Sequence, residues 1–441
     1  MSEEPMSALE AVLRLIAAAA PQPWYPRLHA EKSGFPLDQL HYLVEHLWLD
    51  GLLRKGGGSP ETGGGVLLSP AGEEVLRDPE ALRRLRTGEP LRPNNRGDIV
   101  RSVLRGQQRS VVTRLLLWVN ILWFAYGLYL AQSRHNAGRE FLSTFGNGAA
   151  NAGVNVVRHQ IGDVAPDDLI RGEWWRLLSC CFVHIGIIHL ACNMYGVYVI
   201  GRGAEQMWGR WRYLLIYLLS GFGGSCLALA YRPTILAGAS GALCGILGAE
   251  LVWLLLNGRY LPRRVVRRWW WGMGINLLLL VGFSAMANVS ALGHGGGLVI
   301  GAAAALLLNV QRFGPSGWRW LALMPLAALP WLGVELIQRQ RVVNEAWHAA
   351  EERVYARDYD RRFAEADSAF AEAAKSSPDL PPEKQLAAVT KALRLHEALE
   401  AELARGGRFR SPEVVKSLEE VREGIQKRLK VLKKREEALL H

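Results

Sequence analysis

Seven apolar segments in the middle of this chain are long enough, or nearly so, to cross a lipid bilayer. A membrane-spanning helix needs about 20 mostly apolar residues. Charged residues make up only 21% of the 441 residues and are concentrated towards the two ends. This pattern excludes a disordered chain, a coiled-coil rod and a disulfide-stapled secreted domain. The sequence therefore predicts an all-α polytopic membrane protein with soluble ends. The segments are 115–131, 177–201, 213–231, 239–256, 269–287, 294–310 and 320–335.

Arginines between these segments predict how the protein is oriented, because loops rich in Lys and Arg stay in the cytoplasm. Five arginines lie in 257–268 and three in 202–212, whereas 232–238 has one and 288–293 has none. We therefore expect a protein of the plasma (inner) membrane with a cytoplasmic N-terminus and the loop 132–176 outside. The net charge of +11 is interpreted mainly as this topology signal.

Residues 1–95 are predicted to form a small soluble domain in the cytoplasm. An apolar period of 3.6 residues predicts a helix over 37–53, and two short strands are expected on either side of GGGSPETGGG. Ser69 is expected to cap the next helix, which begins with a proline and acidic residues. This order resembles a winged-helix domain. The expected recognition helix has three acidic residues and no arginine, so nucleic acid is not the expected partner, and a protein-interaction or dimerisation module is favoured.

The remainder of the chain is divided at changes in composition. A basic linker covers 96–114, a core of six segments covers 115–310, a seventh span covers 311–338, and a soluble tail covers 339–441. Two prolines are expected to interrupt the seventh span. We nevertheless predict that this span crosses the membrane rather than remaining on one side of it. The tail alternates acidic and basic residues, which is typical of a solvated helical bundle. Its predicted helices are 344–374, 382–404 and 412–440.

Three groups of polar residues occur inside the apolar segments, where such side chains are costly and are functional candidates. They are His184, His189 and Asn193 in the second segment, Ser240 within GASG in the fourth, and His294 within GHGGGLVIG in the sixth. These three segments all run from outside to inside. The topology therefore predicts that a candidate nucleophile, a candidate base and hydrogen-bond donors lie in one layer.

The spacing of these polar residues limits the kinds of catalytic site that they can form. His189 and Asn193 are four residues apart and share a helix face, which suits a pair of donors to a developing oxyanion. The zinc motif HExxH is absent, and no metal or organic cofactor is predicted. Glu250 lies ten residues beyond Ser240, about 15 Å along a helix, so a serine–histidine pair would work without a third acidic residue.

Glycines flank both candidate residues. The fourth segment has Gly241, Gly245 and Gly248, and the sixth has Gly293, Gly297 and Gly301. Small residues four apart allow close approach of two helices in lipid, and plain membrane packing is the competing explanation for each glycine.

At these residues the chain resembles the rhomboid family of intramembrane serine proteases. Four motifs occur in order within 115–310, which implies a six-helix rhomboid core. They are GEWWRLLS at 172–179, HIGIIHLACNMYGVYVIGRGAE at 184–205, GASG at 238–241 and GHGGGLVIG at 293–301.

The resemblance implies a role for each matched residue. Ser240 would be the nucleophile and His294 its general base and later acid, with an oxyanion hole formed by His189, Asn193 and the Ser240 backbone N–H. Two positions depart from the family pattern: Cys244 stands where an aromatic residue is common, and Gly293 where alanine is common. Structural support is implied for Trp175, Arg176, His184, Glu205, Gly238, Gly241, Cys244, Gly297 and Gly301.

The expected function is a serine endopeptidase that cuts transmembrane segments of other membrane proteins near the outer face. Its expected partners are those transmembrane substrates, the lipid bilayer, and proteins that bind the two soluble regions. Three alternatives remain: a catalytically inactive rhomboid-like protein that binds clients, a membrane-tethered regulator that acts through residues 1–95, and a transporter.

A tag placed after His441 tests the seventh span. If the segment 320–335 crosses the membrane, the tail leaves the cytoplasm, and protease added to intact spheroplasts will digest the tag. A tag before Met1 is the control and should survive until the cells are lysed. Protection of the C-terminal tag in intact spheroplasts would contradict a seventh crossing.

Overall fold

The computed structural model describes residues 7–92, 95–105, 110–144, 152–284, 290–375, 381–404 and 412–440. Over these residues the fold is all-α apart from one hairpin, as predicted. The last residues of the predicted segment 269–287, part of the linker 96–114 and part of the connection 288–293 lie outside the described residues. The chain forms two compact units. The first comprises Met1–Val164, Trp175–Ala228 and Ile235–Glu335, and the second comprises Ala165–Trp174, Leu229–Thr234 and Leu336–His441.

Residues 7–92 contain five helices and an antiparallel hairpin. The helix predicted over 37–53 is too long. It ends at Leu49, because the chain turns at Gly51 with a positive φ of 76° and enters a strand. Ser69 caps the following helix as predicted, accepting a hydrogen bond from the N–H of Gly72 at 3.1 Å. The assignment of this region to the winged-helix class stays a prediction. The elements are α1 (Ala8–Ala18), α2 (Pro26–Ser33), α3 (Leu37–Leu49), β1 (Leu53–Ser59), β2 (Gly63–Leu68), α4 (Pro70–Arg77) and α5 (Pro79–Thr87).

Thirteen helices follow within the described ranges up to residue 343. They are α6 (Arg96–Arg105), α7 (Val111–His135), α8 (Gly138–Ser143), α9 (Ala152–Gln160), α10 (Pro166–Ile170), α11 (Arg176–Ser179), α12 (Gly186–Trp208), α13 (Arg210–Tyr231), α14 (Ser240–Asn257), α15 (Arg263–Ser284), α16 (Ala291–Phe313), α17 (Ser316–Leu321) and α18 (Met324–Val343).

Length and composition identify five spans among the described residues, or six if a bent pair counts as one span. The five are α7, α13, α14 with the turn after it, α16, and α17 together with α18; the bent pair is Arg176–Phe182 with Gly186–Trp208. Helix α15 covers residues 269–284 of the predicted segment 269–287, but it begins with a run of arginines and is not among these spans. Its crossing of the membrane stays a prediction.

Two predicted segments differ from the structure. The segment 177–201 is not one helix, because the chain bends by 92° before α12, where Gly186 has a φ of 73°. The seventh segment is interrupted beside Pro325, as predicted, because α17 ends at Leu321 and α18 begins at Met324. Pro325 lies in the first turn of α18, where its missing N–H costs nothing, whereas Pro330 lies inside this helix and does not end it. Helix α18 also continues to Val343, beyond the predicted boundary at 338.

Glu205 joins α12 to the beginning of α7. Its buried carboxylate accepts hydrogen bonds from the backbone N–H groups of Val112 and Thr113 at 3.0 and 2.8 Å, and from the Thr113 hydroxyl at 2.7 Å. The first N–H groups of a helix have no partner within the helix, and a negative charge there is favourable. The carboxylate therefore caps a membrane helix at the end of the bundle opposite to Ser240.

Helices α14 and α16 pack at very close range. A Cβ added at Gly297 would overlap the carbonyl oxygen of Gly241, and one added at Gly301 would overlap that of Gly245. Only glycine permits this approach of two backbones. The glycines on the two segments therefore lie on facing surfaces of the two helices.

The second unit contains the helical tail. Its helices begin and end within a residue or so of the predicted ones, and they are α19 (Glu345–Lys375), α20 (Pro382–Ala404) and α21 (Pro412–Leu440). Small and apolar side chains form their common core, including Ala366, Ala369, Val389, Leu393 and Leu429. The charged residues of the alternating pattern lie around this core.

Replacing Gly297 by alanine tests the close packing of α14 and α16. The added methyl group must push the helices apart, and overpacking of this kind costs about 1–3 kcal/mol. We expect a lower thermal midpoint for the purified protein in detergent. Gly295→Ala is the matched control, because a Cβ at Gly295 meets nothing within 4 Å. Equal midpoints for the two variants would contradict the packing.

Candidate active site

Ser240 and His294 are in direct contact. The Oγ of Ser240 lies 2.8 Å from Nε2 of His294, across 54 residues of sequence. Ser240 is the first residue of α14 and is partly exposed, whereas His294 lies in the first turn of α16 and is 7% exposed. The tight packing of α14 on α16 therefore brings a hydroxyl and an imidazole together at one end of the helix pair.

The segment before Ser240 is anchored at two points. Leu236 and Val164 exchange two backbone hydrogen bonds, of 2.8 and 3.2 Å, and the N–H of Gly238 donates to the carbonyl of Cys180 at 2.9 Å. Gly238 has a φ of 119°, which side-chain-bearing residues rarely adopt. This explains the first glycine of GASG: it turns the chain directly into α14 and sets the direction of Ser240.

Helix α16 begins with a serine cap that the sequence analysis missed. The Oγ of Ser290 accepts a hydrogen bond from the N–H of Gly293 at 3.1 Å, and its carbonyl accepts one from the N–H of His294 at 3.0 Å. The signal was present, because a serine directly before a helical segment is a common N-cap. Ser290 fixes the first turn of the helix that carries His294.

His189 and Asn193 lie beside the turn that leads to Ser240. A Cβ added at Gly238 would lie 2.7 Å from Nε2 of His189 and 3.8 Å from Nδ2 of Asn193. The Nδ1 of His189 accepts a hydrogen bond from the N–H of Ile185 at 3.3 Å. We therefore assign the proton of a neutral imidazole to Nε2, on the side that faces the turn.

The Asn193 amide is held by its own helix. Its Nδ2 donates to the carbonyl of His189 at 3.0 Å, and an amide nitrogen carries a second hydrogen. Both side chains lie near the position of a Cβ added at Gly238, so they share one helix face, as predicted. The two side chains present N–H groups to the region next to Ser240.

The remaining motif residues surround the site at different distances. His184 is buried and packs edge-on against the ring of His189, with 5.3 Å between ring centroids. Cys244 is buried one turn beyond Ser240 in α14. Arg176 donates to the carbonyls of His159 and Asp163 at 2.7 and 2.9 Å, and so anchors the preceding loop.

Trp175 and Glu205 lie away from the dyad. Trp175 is 55% exposed and stacks on the guanidinium of Arg176 at 4.6 Å. Glu205 caps α7 at the opposite end of the bundle. Glu250 faces Gly203 of α12, where its Oε1 lies 3.3 Å from an added Cβ, and is therefore directed away from His294.

Arg96 of α6 joins the far ends of the two helices that carry the dyad, and the sequence analysis did not single it out. Its guanidinium donates to Oδ1 of Asn257 at 3.0 and 3.1 Å and to Oδ1 of Asn309 at 3.3 Å. It also stacks on the ring of Phe313 at 4.8 Å, and burial lowers the pKa of the guanidinium. The basic linker thus includes a residue that fixes α14 against α16.

The geometry suits general-base activation of a hydroxyl. A base must lie within about 2.6–3.2 Å of the proton that it removes, and the 2.8 Å contact falls in this range. Donors beside the nucleophile suit stabilisation of negative charge on a tetrahedral intermediate. Among the described residues, no group of three His, Cys, Asp or Glu side chains is arranged to hold a metal ion.

Comparisons with known proteins match the same region. The rhomboid domain family matches residues 171–311. Rhomboid protease GluP of Bacillus subtilis (strain 168) is 39% identical over 166 residues, which are 36% of this chain and 31% of GluP. Rhomboid protease AarA of Providencia stuartii is 28% identical over 155 residues, which are 30% of this chain and 55% of AarA. The chain thus spans about a third of GluP and about half of AarA.

A third relative is covered over most of its length. RHOMBOID-like protein 7 of Arabidopsis thaliana is 30% identical over 260 residues, which are 56% of this chain and 77% of that protein. The family match includes Ser240 and His294, and the described residues contain five or six apolar spans. This chain is therefore an integral membrane protein that belongs to the rhomboid family of intramembrane proteases.

Proposed function

We propose that this protein is a serine endopeptidase that hydrolyses peptide bonds in the transmembrane segments of other membrane proteins, with Ser240 as nucleophile and His294 as base. The observation that carries this proposal is the 2.8 Å contact between Oγ of Ser240 and Nε2 of His294. Relatives named as rhomboid proteases support a peptidase.

The chemistry follows from the two side chains. His294 Nε2 takes the proton of Ser240 as Oγ attacks the scissile carbonyl carbon, and then returns that proton to the leaving amine as the carbon–nitrogen bond breaks. Water then attacks the resulting ester, His294 acts again as base, and Ser240 is regenerated. The partial exposure of Ser240 allows water and substrate to reach it.

The oxyanion of the tetrahedral intermediate would lie between Ser240 and α12. Its proposed donors are Nε2–H of His189, the free N–H of Asn193 and the backbone N–H of Ser240. The last of these belongs to the first turn of α14, where backbone N–H groups have no partner within the helix. Donors fixed before the reaction stabilise charge without reorganisation.

A substrate helix has to unwind locally, because a helical peptide bond is shielded and already hydrogen-bonded. The family resemblance implies a preference for helix-destabilised segments with a small residue before the cut. The arginine distribution supports a cytoplasmic N-terminus in the plasma (inner) membrane, with cleavage near the outer face. The soluble domain 1–95 and the tail 339–441 are proposed to bind protein partners rather than nucleic acid.

Removing either member of the dyad tests the proposal. Ser240→Ala and His294→Ala should each lower cleavage of a purified transmembrane substrate in liposomes by about 10³-fold or more. Ser316→Ala, at an exposed serine near the start of α17, is the matched control and should cleave at the normal rate. Normal cleavage by Ser240→Ala would exclude this mechanism.

Asn193→Ala tests the oxyanion hole separately. Loss of one such donor lowers kcat by about 10²–10³-fold, and KM should change little because the charge exists only in the transition state. Cys192→Ala replaces the exposed neighbouring residue and should leave both constants unchanged. A change in KM alone would show that Asn193 binds substrate rather than stabilising the oxyanion.

A further inference from the structure

A cavity of about 890 Å³ lies beside the end of α14 and the beginning of α15. Gly258, the residue after α14, lines it, so the cavity is separated from Ser240 by the 18 residues of that helix, about 27 Å. It therefore lies at the opposite end of the helix from the dyad and takes no part in the proposed hydrolysis.

Three arginines line this cavity at intervals of four residues: Arg259, Arg263 and Arg267. Arg259 donates to the hydroxyl of Tyr260 at 2.8 Å. In the part of the chain that the structure describes, neither Arg263 nor Arg267 forms a side-chain ion pair or hydrogen bond. The nearby carboxylate of Glu45 instead accepts a hydrogen bond from the backbone N–H of Arg263, at 3.2 Å.

Arg263 and Arg267 lie four residues apart in α15, where two like charges repel each other and destabilise the helix. An anion in the cavity would remove the repulsion and would satisfy guanidinium N–H groups. Arginine is well suited to phosphate, because its planar fork donates two parallel hydrogen bonds. The charge of the lining therefore favours a phosphate-bearing ligand.

The same cavity has an apolar side. Trp270 and Trp271 line it, and Ile275 and Leu278, further along α15, are 56% and 72% exposed. Tryptophan is enriched where the hydrocarbon of a membrane meets water. A ligand that occupies this site therefore has its phosphate among arginines and apolar chains along α15, which a free phosphate cannot do.

We propose that this cavity binds an anionic phospholipid, with the headgroup phosphate held by Arg263 and Arg267 and the acyl chains lying along α15. The simpler alternative is that the arginines only fix topology and attract the membrane surface without a site. The two explanations differ for neighbouring arginines, because Arg268 carries the same charge in the same turn but does not line the cavity.

Arg267→Gln and Arg268→Gln form the matched pair for the test. The purified full-length protein in detergent is mixed with phosphatidylglycerol or phosphatidylcholine, and bound lipid is counted by native mass spectrometry. We expect Arg267→Gln to weaken phosphatidylglycerol binding about tenfold, as for loss of one charged hydrogen bond, and Arg268→Gln to change it less than twofold. Equal losses in both variants would overturn the site in favour of general surface charge.

A second pair tests the cavity without changing its charge. A Cβ added at Gly274 or at Gly272 meets nothing within 4 Å, but only Gly274 lines the cavity. Gly274→Leu should therefore fold and lower phosphatidylglycerol binding, whereas Gly272→Leu should bind normally. Equal binding by Gly274→Leu and the unmodified protein would contradict the proposal.

Two further binding measurements identify the class of ligand. Phosphatidylcholine should bind at least tenfold more weakly than phosphatidylglycerol, and 10 mM inorganic phosphate should not displace the bound lipid. Equal binding of the two lipids, or complete displacement by phosphate, would overturn the assignment to an anionic phospholipid. None of these readouts depends on peptide hydrolysis, so failure of this proposal is distinct from failure of the proposed function.

Discussion

Contact between the backbones of α14 and α16 is the constraint on which the site depends. Gly297 lies against the carbonyl of Gly241, and Gly301 lies against that of Gly245. At this separation the first turns of the two helices place Ser240 and His294 within hydrogen-bond distance. In lipid there is no hydrophobic driving force between helices, so close packing of small residues must supply much of the association.

Three local devices then fix Ser240, His294 and the neighbouring His189. The positive φ of Gly238 turns the chain into α14, the Ser290 cap begins α16, and the hydrogen bond from the Ile185 N–H sets the proton position on His189. At the far end, Arg96 holds Asn257 and Asn309 together. The helix pair is therefore fixed at both ends and along its length.

Much of this site could be predicted from the sequence, because membrane topology restricts where polar residues can lie. Three outside-to-inside segments with polar residues near the same end were enough to group Ser240, His294, His189 and Asn193. The glycines at intervals of four predicted the facing surfaces of the two helices. The tail helices were predicted closely because the segments SSPDLPP and RGGRFRS separate them in the sequence.

Other features depend on tertiary contacts that periodicity does not record. The bend before α12 requires a glycine whose φ is positive, and the apolar run 177–201 gave no sign of it. The role of Glu205 depends on the start of α7, which lies more than 90 residues earlier. Arg96 looked like one topology arginine among several, since its partners come from two distant helices.

Labelling by a fluorophosphonate probe tests the central claim most directly, because it reports activation of one hydroxyl without requiring a known substrate. After digestion, mass spectrometry of the labelled protein should locate the adduct on Ser240, and His294→Ala should abolish labelling while the protein remains folded. An unlabelled Ser240 in the intact protein, or equal labelling when His294 is absent, would contradict a serine–histidine dyad.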